Sequence, residues 1–185
     1  MTRLTILAAA AAALAFTAVA SDQDDPALAA FETVCVASGG NYAQMLSAAT
    51  SGGWTDTQVV PETDTAVSIT SQAAREKTVD GVTLTLLVNQ GLRHTRSGDV
   101  PQSVCKISDG RPDPGVITRS TAWLGFAQDS GDATLAVYYV KPGGVRPAHV
   151  PSDGLNAAMA AGGFSIIKVQ QDQGSAIFVY TTYSK

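Results

Sequence analysis

The apolar positions change period several times along the chain. Behind an Asp25-Pro26 start, Leu28, Phe31 and Cys35 recur at helical spacing, Gly39-Gly40 interrupts, and Tyr42, Met45, Leu46 and Ala49 resume the pattern until Gly52-Gly53. This predicts two helices, or one broken helix, with Trp54 packed back on the last turn. After a polar stretch containing Pro61, Val67 and Ile69 alternate with Ser68 and Thr70, and Val82, Leu84, Leu86 and Val88 alternate with Thr83 and Thr85. Period two means strand. The Asp80-Gly81 step between these runs predicts an antiparallel hairpin. A third strand is expected over 102–108, a loop over 109–115, and a short helix through Val116, Ser120 and Trp123. Leu135, Val137 and Tyr139 mark another strand, ended by Pro142-Gly143-Gly144. A proline-bearing loop then runs to Pro151, and Ser152 is the expected cap of a helix through Leu155, Ala158 and Met159. Segments 164–169 and 175–182 complete the pattern as a hairpin around Asp172-Gln173-Gly174.

The order of elements points to the α+β class: one domain over 21–185, with an antiparallel or mixed sheet and helices packed mainly on one face. Composition adds exclusions. With 45% hydrophobic and 15% charged residues among 185, the chain is neither disordered nor collagen-like, and it carries no sustained heptad. Ala48 to Trp54 parallels Ala158 to Phe164, each an alanine-rich helix end, a glycine pair and an aromatic; common helix-end chemistry explains this better than duplication does.

The one long apolar run lies at the start. Arg3 is followed by Leu4 to Ile6, Leu7, an alanine run, Leu14 to Phe16, and Ala18-Val19-Ala20, the three parts of a signal peptide over 1–20. Cleavage between Ala20 and Ser21 is expected, giving a periplasmic or secreted chain without stable membrane insertion. No cysteine stands at the cut, so a lipid anchor is not expected. Cleavage there removes one base and no acid, leaving 11 basic and 16 acidic residues and a net charge of −5, a balance that argues against nucleic acid as a partner. In an oxidising compartment Cys35 and Cys105, which have no metal-type spacing, most simply form one disulfide.

Candidate chemistry is sparse. Only His94 and His149 are available as histidine acid or base. His94, flanked by Arg93 and Arg96, reads as an exposed polar turn just past a strand end. His149 lies in a stiff loop with Lys141 and Arg146 and is expected to be exposed, without the orienting carboxylate and reachable hydroxyl that a catalytic base needs. Ser103-x-x-Lys106 and Ser165-x-x-Lys168 match a nucleophile pattern but fall in expected strands without its partner motifs. No metal or cofactor motif is present, and nothing pairs Glu32, Glu62, Glu76 or Asp109 for carboxylate chemistry. Between residues 93 and 149 seven bases face five acids, inside a chain that is acidic overall. Arg93, Arg96, Arg111, Arg119 and Arg146, with His149, therefore form a candidate face for an anionic ligand or partner, since the guanidinium fork suits carboxylate and phosphate.

The pattern Phe31-x-x-x-Cys35, Gly52-Gly53-Trp54, Cys105 and Trp123-Leu124-Gly125 resembles small exported proteobacterial proteins of unknown function. The resemblance implies a periplasmic location and no particular activity. The expected function is a non-enzymatic binding or envelope-accessory module whose partner is an envelope protein or small ligand. The alternative is a small periplasmic hydrolase using His149.

Overall fold

A computed structural model of the protein describes residues 25–60, 65–142, 146–172 and 175–184. The expected signal segment, the Gly143-Gly144 step and the tip of the last hairpin lie outside these residues. Among those described, no helix is long and apolar enough to cross a membrane.

Asp25 starts the first helix as expected. Its Oδ1 accepts hydrogen bonds from the N–H groups of Ala27 and Leu28, both at 3.0 Å, and Pro26 occupies the first turn, where a missing donor costs nothing. Helix α1 (Pro26–Ala30) runs directly into a wider π-helical stretch, Phe31–Val36. Asn41 caps α2 (Tyr42–Ser51) through the N–H of Gln44. Trp54 packs back as expected, its N–H donating to the carbonyl of Ala49.

The strands are β1 (Thr55–Asp56), β2 (Val67–Val79), β3 (Val82–Thr95), β4 (Gly98–Ser108), β5 (Ser130–Gly131), β6 (Leu135–Lys141), β7 (Ala148–His149), β8 (Phe164–Asp172) and β9 (Ser175–Tyr183). They form one sheet of nine strands in the order β1-β2-β3-β4-β9-β8-β6-β5, with β7 on β6. Among the described residues every pairing is antiparallel, so the mixed-sheet option falls away. β2 and β3 are longer than the apolar alternation suggests, and His94 lies inside β3 rather than beyond it. A bulge interrupts β2 between Ile69 and Ser71. Opposite it, a methyl group at Gly91 would overlap the carbonyl oxygen of Ser68, so glycine permits this close approach.

Helix α3 (Val116–Leu124) ends on Gly125 at φ 79°, with the Gly125 N–H bonded to Thr121. Before α4 (Leu155–Ala161), Ser152 begins a short 3₁₀ turn and does not cap the helix; Gly154 occupies the cap position and makes no side-chain bond. The two glycine pairs also differ, Gly52 having φ −80° and Gly162 φ 76°, so the parallel between the two helix ends does not extend to backbone conformation.

The main core joins α1, the π segment, α2 and α3 to one set of alternating strand residues. Phe31 is its hinge, with ring centroids 5.3 Å from Phe178, 6.1 Å from Trp123 and 6.5 Å from Tyr180. Beside it Cys35 and Cys105 are joined as expected, their Cα atoms 5.5 Å apart. In register, Cys105 faces Tyr180, Tyr180 faces Ile167 and Ile167 faces Tyr138, all buried.

Candidate functional site

Because strand side chains alternate, the residues next in line to the core point to the opposite face. One cross-strand row there runs Asn89, Val104, Thr181, Ile166 and Tyr139; the next runs Gly91, Gln102, Tyr183 and Phe164. These rows floor two adjoining cavities that share Arg93, Ile166 and Tyr183. The larger, about 550 Å³, lies between the strands and α4, which supplies Leu155 and Met159. Its aromatic wall is a ladder: the Tyr139 and Phe164 rings are 5.8 Å apart, and Phe164 stacks on Tyr183 at 6.2 Å. Such a volume falls within the range of small-molecule sites. Met159 is 57% exposed at the rim, an apolar side chain left without cover.

The smaller cavity, about 250 Å³, is more polar and is lined by Asn89, Gln102, Lys168 and Thr181 as well as Arg93, with no acidic side chain among the described residues. Gln102 is only 6% exposed, yet its Oε1 is buried without a hydrogen-bond partner among the described residues. A buried acceptor left so costs about 1–3 kcal/mol, which a ligand donor would recover. Burial raises the Tyr183 hydroxyl above its usual pKa, while the Arg93 charge pulls it back down.

The six residues of the expected anionic face do not come together. Arg93 lines both cavities. Arg96 and Arg146 are exposed in turns. Arg111 lies 3.8 Å from Asp109. Arg119 pairs with Asp25 at 2.9 Å and with Asp113, fastening α3 to the start of α1. The set is dispersed because Arg111 and Arg119 are engaged with acids and Arg96 and Arg146 stand in separate turns, none of which a charge count reports.

His149 corrects an expectation. It is half-buried in β7, its Nε2–H donating to Asp129 at 2.9 Å, with the Phe126 ring 4.5 Å from its own. Asp129 is 8% exposed at its side chain and also accepts from the Tyr139 N–H, so the acid comes from a distant turn rather than from the loop. No hydroxyl reaches the other ring nitrogen among the described residues, so the contacts of a catalytic base are half present.

His94 makes the more complete arrangement. Its Nδ1–H donates to Asp99 Oδ1 at 2.8 Å, leaving Nε2 to accept from Ser68 Oγ, also at 2.8 Å. The signal was available: the tight Arg96-Ser97 turn sets His94 opposite Asp99. Val67 and Ile69 line the smaller cavity, so alternation directs Ser68 to the other face of the sheet. The side chains of His94 and Asp99 are 46% and 52% exposed, where water competes for both contacts.

Among the described residues, no three His, Cys, Asp or Glu side chains are placed to share a metal ion. No family model, curated protein or solved structure matches the chain.

Proposed function

We propose that the protein is an exported, non-enzymatic binding module that takes a small, mainly apolar ligand in the cleft between α4 and the sheet. The observation that carries this reading is the cavity of about 550 Å³, walled by the aromatic ladder and left open at Met159. Export rests on the signal-type N-terminus, and the disulfide is compatible with it. The neutral dye N-phenyl-1-naphthylamine tests the reading. It should bind one site per chain with enhanced fluorescence, and Met159→Glu should remove that binding. Met159 is exposed, so this substitution is expected to move stability by no more than about 0.5 kcal/mol. Undiminished binding in a folded Met159→Glu variant refutes the site.

The hydrolase alternative now rests on Ser68, His94 and Asp99 rather than on His149. It stands second because of the exposure of its base and acid and the separation of Ser68 from the cleft. Turnover of p-nitrophenyl acetate that Ser68→Ala abolishes would reverse the order; turnover unchanged by that substitution removes the alternative.

A further inference from the structure

The cleft joins an apolar compartment to a polar, positively charged one, and that asymmetry selects among ligands. This inference rests on the binding reading above. In the larger cavity Tyr139, Phe164, Ile166, Leu155 and Met159 offer a surface for a hydrocarbon chain. Where the two cavities meet, Arg93 and Tyr183 mark the change of character. Beyond them Lys168 and Gln102 line the smaller cavity, which has no acid among the described residues of its lining. Register adds a cation to the same face: Lys106 and Lys168 stand on either side of Val179. Asp99, the partner of His94, also lines the larger cavity and is the one acid in either lining among the described residues. Lys168 lines the smaller cavity alone, and Arg93 lines both.

We propose that the ligand is a single-chain acyl anion whose head carries an N–H or O–H donor beside its charge, as in an N-acylated amino acid. The tail lies between α4 and the aromatic ladder. The anionic group meets Arg93 and Lys168, and the neighbouring donor satisfies Gln102 Oε1. A cationic amphiphile is disfavoured by the same charges, and a neutral one forgoes them. An anion without a donor leaves the buried carbonyl of Gln102 unpaired, at the cost such a group always carries.

The test compares four probes below their micelle-forming concentrations: N-phenyl-1-naphthylamine, N-lauroylglycine, laurate and dodecyltrimethylammonium. N-lauroylglycine should displace the dye at a concentration at least about tenfold lower than dodecyltrimethylammonium, since a charge-assisted hydrogen bond contributes about 1.5–3 kcal/mol. That preference should shrink as salt rises. The double variant Arg93→Gln/Lys168→Gln should still bind the dye while losing the anion preference. Gln102→Leu removes a buried polar group rather than creating one, so folding should be retained. In it N-lauroylglycine should lose its advantage over laurate. Failure of the wild-type protein to bind the dye overturns the underlying binding reading. Dye binding with equal displacement by anion and cation leaves the cleft standing and overturns the ligand class. Equal displacement by N-lauroylglycine and laurate in the wild-type protein overturns the donor-bearing head.

Discussion

Replacing Cys35 and Cys105 together by alanine removes the disulfide that cross-links the N-terminal helical segment to the sheet. The two residues are 70 apart in sequence. For a loop of that length the chain-entropy model gives about 4.4 kcal/mol of stabilisation at 25 °C, within the about 2–5 kcal/mol that removal of a native disulfide commonly costs. Both cysteines are fully buried, so alanine is chosen over serine to avoid adding unpaired hydroxyls. The native contacts of Phe31 with Trp123, Phe178 and Tyr180 survive the substitution, so the variant should fold, with most of the loss arising in the unfolded ensemble. Urea unfolding should show a drop of about 4 kcal/mol and a larger m-value, because the unlinked chain exposes more surface. For a chain of this size that amounts to a fall in Tm of about 8–16 °C. Wild-type protein unfolded under reducing conditions should approach the variant. A loss below about 1 kcal/mol would show that the cross-link contributes little, and two titratable thiols in the exported native protein would show that it is not formed.

Three further outcomes are expected. Asp25→Ala should destabilise by about 1–3 kcal/mol in thermal unfolding, because it removes both capping bonds of α1 and leaves Arg119 with one partner fewer; no change would show that the cap is idle. In ultraviolet titration Tyr138, Tyr180 and Tyr183 should ionise above the usual tyrosine value, burial being the main cause in each. A raised folded pKa means that the associated stability is complete below about pH 10 and is lost as pH rises through the raised values; ordinary ionisation of all five tyrosines would contradict the burial. Gly91→Ala should cost about 1–3 kcal/mol by overpacking against the Ser68 carbonyl, and unaltered urea unfolding would show that the β2 bulge yields freely.

Much of the fold was legible because its core positions obey simple periods. Leu84, Leu86 and Val88 announce β3 by alternation, and Val116, Ser120 and Trp123 announce α3 by helical spacing. The second half of β2, from Ser71 to Val79, was not legible. Its side chains are only partly buried and mostly polar there, with Arg75 reaching across to the Leu46 carbonyl at 3.0 Å. The π-helical stretch also left no mark, since Phe31 and Cys35 suit an ordinary helix equally well. The cleft did have a sequence sign. Tyr138-Tyr139 and Ile166-Ile167 are apolar at adjacent positions, as strands with substantial apolar surface on both faces should be. Period-two reading marks Leu135, Val137 and Tyr139 in β6, whereas the main core takes Ala136, Tyr138 and Val140 and Tyr139 walls the cleft. His94 with Asp99 follows from hairpin register, whereas His149 with Asp129 depends on how β7 and the turn before β5 approach β6, which no local pattern reports.

An amide chemical-shift titration with N-lauroylglycine locates the bound ligand directly. Saturable shifts should concentrate on the face opposite the disulfide, at 102–104, 164–168 and 179–183 and along α4. Ser68 Oγ and the imidazole of His149 lie outside the cleft, so Ser68→Ala and His149→Ala should leave the saturation midpoint unchanged. Saturable shifts confined to Ser68, His94 or the surroundings of His149, with 102–104, 164–168, 179–183 and α4 unmoved, would contradict this placement.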